Sequence, residues 1–80
     1  MGRTEILEKL GEIFRDAFDD DNIKISESTT AADIENWDSF MQINIIMACQ
    51  SEFGVKFDLK DVMALKSVGN IADVIERKLK

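Results

Sequence analysis

Apolar residues recur at helical spacing in four stretches of the chain. Between residues 4 and 18 they lie three or four positions apart, which is typical of the buried face of an amphipathic helix. Residues 39–53, 59–64 and 68–79 repeat the spacing, whereas the alternating stretch 55–57 is too short to make a sheet alone. The pattern predicts an all-α fold, a small bundle of three main helices and one short helix.

Residues with strong positional preferences mark the ends of these helices. Thr4, Asp38, Asp58 and Ser67 each precede or open an apolar stretch, and a side-chain oxygen at that place can accept a hydrogen bond from a free amide of the first turn. Gly54 follows the second stretch, where a glycine commonly takes the left-handed conformation that ends a helix.

Residues 19–37 form a long connection between the first two predicted helices. The connection opens on the turn-prone run Asp19-Asp20-Asp21-Asn22. Ile23 and Ile25 interrupt its polarity and are expected to pin it to the core, and residues 28–34 are expected to hold a short turn of helix. We therefore expect an ordered loop, which in a small domain is usually functional.

The second predicted helix carries two apolar arcs when its residues are placed 100° apart. The broad arc consists of Ile45, Ile46, Cys49 and Phe53, with Met41 and Ala48 at its edge. The other arc, called the docking strip below, consists of Phe40, Ile43 and Met47. An outer helix of a small bundle buries one arc only, so the strip is either covered by the long loop or exposed as an interface.

Trp37 and Cys49 each have two interpretations. Trp37, just before the second helix, is expected to anchor the loop by packing, the alternative being an exposed ring that contacts partners or cargo. Cys49 is expected to be a buried, inert thiol, because a catalytic thiolate needs a cationic neighbour.

Composition excludes several classes of function. Eighty residues allow one domain, and a net charge of −6 disfavours nucleic-acid binding. There is no run of 18 apolar residues, so no membrane insertion is expected, and a single cysteine favours a cytoplasmic setting. Without histidine, and with Lys24 and Thr30 where a calcium loop starting at Asp19 needs Gly and Glu, neither a catalytic site nor a metal site is predicted.

The segment Asp38-Ser39-Phe40, which opens a helix after a long loop, resembles the Asp-Ser-Leu motif of acyl carrier proteins. The stretches Glu52-Phe53-Gly54-Val55-Lys56-Phe57 and Met63-Ala64-Leu65-Lys66-Ser67-Val68-Gly69 are similar to that family's segments after helix two and before the last helix. The resemblance thus covers nearly the whole chain and implies the family's helical bundle.

The resemblance also implies a covalent cofactor. A phosphopantetheinyl transferase would attach 4′-phosphopantetheine from coenzyme A to Ser39, and the thiol of that arm would hold an acyl group as a thioester. Asp38 would flank the attachment serine and help to dock the transferase. Independently of the family, Ser39 opens a helix, where free amides and the helix dipole favour a phosphate.

Partners follow from the same resemblance. They would be the transferase, a ligase or acyltransferase that loads the arm, and the synthases or transferases of a pathway, all meeting a monomeric carrier. The residues expected to contact them are Phe40, Met41, Ile43 and Met47.

The second helix departs from the family in charge. Familiar fatty-acid carriers have several acidic residues there, whereas this chain has Asn44, Gln50 and Ser51 and keeps only Glu52. The difference predicts a specialised carrier that docks by apolar contact more than by charge. The alternative function is a small acidic interaction domain without a prosthetic group, which would use the docking strip to bind a partner helix or groove.

Overall fold

Four α-helices make up the regular structure of the chain. A computed structural model describes residues 2–79 and contains α1 (Arg3–Ala17), α2 (Ser39–Phe53), α3 (Leu59–Ala64) and α4 (Val68–Leu79). The all-α prediction is confirmed, and the three later helices have the predicted bounds. Within residues 2–79, no helix combines the length and apolar character needed to cross a bilayer.

The core forms where α1 packs against both α2 and α4. Each of these helices contributes one apolar stripe, and the stripes meet in a continuous buried cluster. The broad arc of α2 is buried as predicted, with Met41 and Ala48 half-buried at its edge. The largest fully buried side chains are Ile6, Leu10, Phe14, Ile45, Cys49, Val68, Ile71 and Ile75.

Most predicted helix ends are confirmed. The Asp38 carboxylate accepts a hydrogen bond from the Met41 amide at 2.9 Å and so caps α2. Gly54 ends α2 in the left-handed conformation, with φ of 68°. At the start of α4, the Ser67 hydroxyl accepts from the amide of the third helical residue at 3.2 Å. The predicted cap of α3 by Asp58 is also present.

The predicted cap of α1 is wrong. The helix begins one residue early, at Arg3, with Gly2 at the N-cap position and no side-chain cap hydrogen bond, and it ends at Ala17 rather than at residue 18. Thr4 therefore lies inside the first turn. Arg3 explains the shift, because its guanidinium pairs with Glu27 of the loop and, at 2.8 Å, with Asp73 of α4, which fixes residue 3 as part of the helix.

The long loop is ordered because its backbone satisfies the start of α4. The Thr29 carbonyl accepts from the Val68 amide at 2.8 Å, and the Glu27 carbonyl accepts from the Gly69 amide at 2.9 Å. These carbonyls replace the acceptors that the first amides of a helix lack. An isolated antiparallel bridge between Thr30 and Ser67 completes the contact.

Side chains of the loop confirm one prediction and overturn another. Ile23 and Ile25 pack against the core as expected, together with Ile34. Residues 28–34 form turns and the bridge rather than a turn of α-helix. The Asp33 amide donates to the Thr30 carbonyl three residues back, at 2.9 Å, while the Thr29 carbonyl bonds across to α4.

Candidate functional site

Ser39 lies at the N-terminal end of α2 with its side chain exposed. Asp38 before it is extended, with φ of −112° and ψ of −172°, while its carbonyl accepts the first helical hydrogen bond from Gln42 at 2.9 Å. This backbone arrangement fixes Ser39 as the first helical residue. The predicted hydroxyl is therefore accessible and is held by a capped helix end rather than by a mobile loop.

The start of α2 can stabilise an anion attached to Ser39. The first amides of an α-helix have no acceptor within the helix, and the Asp38 carboxylate takes only that of Met41 among them. The first turn of α2 contains no acidic residue, and the carboxylate of Asp38 before it is engaged as the N-cap. The dipole and the amides at this end therefore favour a phosphate on Ser39, and the described residues fit a phosphate-linked group.

An open groove of about 640 Å³ begins at Ser39 and runs between the loop, α2 and α3. Its lining is mainly apolar, so it can accept a chain of methylene groups as well as polar amides at its rim. Three parts of the fold supply its walls: Thr30, Ala31, Ala32 and Trp37 from the loop, Asp38, Ser39, Gln42 and Ile43 from the start of α2, and Val62, Leu65 and Lys66 from α3 and the residues after it.

Trp37 is the packed anchor that the sequence predicted. Its ring meets Phe14 of α1 edge-on, with centroids 5.1 Å apart and planes at 78°. The indole Nε1 donates a 2.7 Å hydrogen bond to Oε1 of Gln42. The half-buried ring thereby ties the end of the loop to α1 and α2 and gives the groove a rigid wall.

The docking strip is exposed, so the explanation that the loop covers it is wrong. Phe40, Ile43 and Met47 keep 71%, 55% and 61% of their surface accessible. Met41, predicted to share their role, is half-buried at the edge of the broad arc. Its sulfur accepts a weak hydrogen bond from the side-chain amide of Asn44 at 3.8 Å. The loop packs on α4 instead, which leaves this side of α2 bare.

The charge of the docking strip's surroundings is close to neutral. Glu52, the one acidic residue of α2, pairs with Lys9 of α1 at a distance of 3.1 Å. The polar residues of α2 beside the strip are uncharged, and the exposed carboxylate of Asp38 lies at its N-terminal end. Exposed apolar surface is therefore the main feature of the docking strip.

Cys49 is buried in the core, as predicted. Burial raises the pKa of its thiol to about 12, because the apolar surroundings disfavour the thiolate. The side chain is thus a packing residue and takes no part in the site.

The sequence did not predict two sets of residues at the groove. The groove walls at residues 30–32 and 65–66 come from segments before and after α2, and the bridge between Thr30 and Ser67 joins these two segments. Gln42, a half-buried polar residue of α2, accepts the hydrogen bond from Trp37 and so orients its ring. No local pattern in the sequence carries a signal for either.

Comparison with known proteins gives a consistent result. The model of the family described as "Phosphopantetheine attachment site" matches residues 8–75. The chain is 34% identical over 79 residues to an acyl carrier protein of Thermosynechococcus vestitus, covering 99% of this chain and 98% of that protein. It is 34% identical over 77 residues to one of Thermotoga maritima, covering 96% and 95% respectively.

A solved structure matches as well. The solution NMR structure of a holo acyl carrier protein from Geobacter metallireducens superposes with a TM-score of 0.86 at 40% sequence identity. The match covers 92% of this chain and 85% of that one. The similarity therefore extends over the helices and the connections between them.

Proposed function

Since the chain belongs to the phosphopantetheine attachment-site family of acyl carrier proteins, we propose that Ser39 holds its 4′-phosphopantetheine arm. As a member of this family, the chain is a carrier and not an enzyme. The arm supplies a terminal thiol that holds an acyl group as a thioester. The carrier then presents this group to partner enzymes.

The exposed hydroxyl of Ser39 at the capped end of α2 is the observation that supports this proposal. In the attachment step the Ser39 oxygen attacks the β-phosphorus of coenzyme A. A new phosphate ester forms, the pyrophosphate bond breaks and adenosine 3′,5′-bisphosphate leaves. The hydroxyl proton passes to a base of the transferase, because this chain has no histidine to accept it.

Asp38 has two roles in the proposal. Its carboxylate caps α2 through the Met41 amide and so holds Ser39 at the first helical position. The side chain is also exposed, so it is available to the transferase. The proposal assigns Asp38 to transferase docking as well as to helix capping.

The docking strip is the proposed contact surface for the other partners. These are an acyl-loading ligase or acyltransferase and the synthases or transferases of the pathway, which a monomeric carrier meets in the cytoplasm. Phe40, Ile43 and Met47 offer exposed apolar surface on α2 between one and eight residues after Ser39, with Met41 at the edge. Residues of this kind commonly dominate the energy of an interface when a partner buries them.

The pathway is the finer part of the proposal. The relatives are named acyl carrier proteins. This name applies to carriers of lipid and of polyketide synthesis, and to dedicated and housekeeping carriers alike. The neutral surface of α2 supports a dedicated pathway, because its one carboxylate is already paired with Lys9. A ketosynthase of ordinary fatty-acid synthesis is then a poor partner, and efficient elongation of acyl groups on this carrier would rule out the dedicated pathway.

Intact-mass spectrometry tests the attachment site directly. After incubation with coenzyme A, Mg²⁺ and a broad-specificity phosphopantetheinyl transferase, the protein should gain one phosphopantetheine mass. Ser39→Ala should abolish the gain, whereas Ser51→Ala, a change at another exposed serine of the same helix, should preserve it. No gain in the unaltered chain would favour the alternative of an interaction domain without a prosthetic group.

The Ser39→Ala variant should remain folded. Asp38 provides the cap of α2, so loss of the Ser39 hydroxyl should cost at most about 1 kcal/mol of unfolding free energy. Urea unfolding followed by circular dichroism measures this cost. A much larger loss would mean that the missing mass gain reflects unfolding rather than a missing acceptor.

A further inference from the structure

Helix α3 is held differently from the other three helices. Within residues 59–64, Asp61 alone is buried, and the two large apolar side chains Leu59 and Met63 are each 74% exposed. Hydrophobic burial, which normally fixes an amphipathic helix to its neighbours, contributes little to this helix. Something else must hold α3 in place.

The carboxylate of Asp61 supplies that attachment. Its Oδ1 accepts from Nη2 of Arg77 at 2.6 Å, and its Oδ2 lies 3.0 Å from Nζ of Lys78. Both cations belong to the last turn of α4. Charge-assisted bonds of this length to a buried carboxylate are among the stronger polar contacts in proteins, so α3 is joined to α4 by charge.

The same carboxylate also organises α3 internally. Asp58 and Asp61 form a reciprocal capping box, in which each side chain accepts from the backbone amide of the other, at 2.8 Å from the Asp61 amide and 3.3 Å from the Asp58 amide. Asp61 therefore links the start of α3 to the end of α4. Loss of the cations would leave the capping box intact but free the helix from α4.

The segments on either side of α3 are fixed independently. Phe57 and Leu65 pack against the core, and the Phe57 amide donates a 2.8 Å hydrogen bond to Oε1 of Gln50. These two points bracket the helix and can act as hinges. Motion of α3 then needs no unfolding of α1, α2 or α4.

We propose that Asp61, Arg77 and Lys78 form an ion-pair latch that holds α3 against α4 and thereby sets the width of the groove beside Ser39. Val62 of α3 and Leu65 after it form one wall of that groove, facing Ser39 and Ile43 from α2. Opening of the latch moves the Val62 part of this wall away from α2, while Leu65 stays packed on the core as a hinge. The latch is a property of the unmodified chain, and only its meaning for bound cargo rests on the proposed attachment at Ser39.

Amide hydrogen exchange in the unmodified protein tests the latch. In the double variant Arg77→Gln/Lys78→Gln, the amides of α3 should exchange at least about tenfold faster, while those of α1 and α2 stay within about twofold. Lys9→Gln is the matched control, since it removes one cation from the exposed pair with Glu52 and should leave α3 unchanged.

A variant cycle separates the latch from the capping box. Asp61→Asn should also accelerate exchange in α3, and adding Arg77→Gln/Lys78→Gln to it should produce little further acceleration, because the cations have lost their anion. Acrylamide quenching of Trp37, which lines the same groove, should increase in each latch variant and remain unchanged in Lys9→Gln.

Two results would overturn the latch. One is unchanged exchange in α3 after both cations are removed, and the other is acceleration spread equally over all helices, which indicates global destabilisation. Either result leaves the gain of phosphopantetheine mass on Ser39 untouched. Failure of the latch is therefore distinguishable from failure of the proposed attachment.

Discussion

Ser39 and Cys49 show how position decides the chemistry of a side chain. Both lie on α2, and the thiol is intrinsically the better nucleophile. Ser39 is exposed at the helix end, however, whereas Cys49 faces the core and its thiol pKa is raised to about 12. Under the proposed attachment at Ser39, the covalent group is placed on the weaker nucleophile and therefore needs an external enzyme.

This contrast predicts the thiol reactivity of the two forms of the protein. Before modification, folded protein should release almost no chromophore from Ellman's reagent at pH 8, because the Cys49 thiolate fraction is on the order of 10⁻⁴ at that pH and the side chain is buried. After arm transfer it should react at one thiol per chain. Rapid reaction of the unmodified folded chain would contradict the burial of Cys49, and denatured protein provides the positive control.

Two buried helical glycines differ in what surrounds them. A Cβ at Gly69 would lie 2.6 Å from the Glu27 carbonyl oxygen, a backbone atom held by the Gly69 amide itself. A Cβ at Gly11 would meet only the guanidinium of Arg15, at 3.2 Å. The flexible end of a side chain can move aside, whereas the loop backbone cannot without losing its bond to α4.

Alanine at these glycines should therefore have effects of opposite sign. Gly69→Ala should lower the free energy of unfolding by about 1–3 kcal/mol, because overpacking outweighs the gain in helix propensity. Gly11→Ala should raise it by up to about 1 kcal/mol, the difference in propensity between glycine and alanine. Urea unfolding of both variants measures the two effects, and equal stabilisation would show that the loop does not depend on close approach to α4.

At the scale of the element, α3 depends on an ionised carboxylate. Hydrogen bonding to Lys78 is the main cause that lowers the pKa of Asp61, with further lowering from the Asp58 amide and the charges of Lys78 and Arg77, against an opposing effect of burial. A carboxylate whose folded pKa is depressed stabilises the fold above its unfolded pKa. That contribution is lost as the pH falls through the folded pKa.

Because the pKa of Asp61 is lowered in the folded protein, the free energy of unfolding should fall as the pH falls. Asp61→Asn should reduce this pH dependence. Unaltered protein should be more stable than the variant above about pH 5, and the difference should shrink below about pH 4, where the carboxylate of the unfolded chain becomes protonated. Chemical unfolding across this range, with Lys9→Gln as the control, measures the difference. If the difference in unfolding free energy between the parent and Asp61→Asn stays constant down to about pH 2, ionisation of Asp61 has no such role.

Local signals account for what the sequence predicted well. Helical spacing, the caps at Asp38 and Asp58 and the stop at Gly54 depend on neighbours along the chain, so the helices and the position of Ser39 at the start of α2 could be predicted. The bonds from Thr29 and Glu27 to α4 depend on how distant segments meet, and no pattern along the chain records them.

The same distinction explains the errors. Thr4 does not cap α1, because the helix already includes Arg3. The guanidinium of Arg3 forms ion pairs with residues far along the chain. The groove and the contacts of Asp61 also depend on the assembled fold. Exposure of the docking strip was one of two alternatives, and the path of the loop decided between them.

At the scale of the whole molecule, charge and apolar surface occupy different parts of the chain. Seven acidic residues and one lysine between residues 16 and 35 account for the entire net charge of −6, and the rest of the chain is balanced. The docking strip lies on α2, outside that segment. Under the proposed docking surface, electrostatic steering toward a partner and apolar contact with it fall on different elements.

Substitution in the docking strip should weaken partner binding without affecting the chemistry at Ser39. Ile43→Asn should raise the KM for arm transfer by about fivefold or more, as expected for loss of an apolar interface residue, with kcat nearly unchanged. Leu79→Asn, a comparable change at a partly exposed residue at the end of α4, should leave KM unaltered. Equal kinetics for the Ile43 variant and the parent would show that the transferase does not use the strip.

The bridge between Thr30 and Ser67 brings together two points of the backbone that flank the whole stretch bearing Ser39, α2 and α3. Because both ends of this stretch meet at one place, it resembles a cassette inserted into a frame made by α1, the first part of the loop and α4. We expect exchange of such a cassette between homologous frames to need two sets of contacts, the α2 side chains facing α1 and the Asp61 bonds to Arg77 and Lys78. Cargo preference and partner choice could then diverge while the frame stays constant.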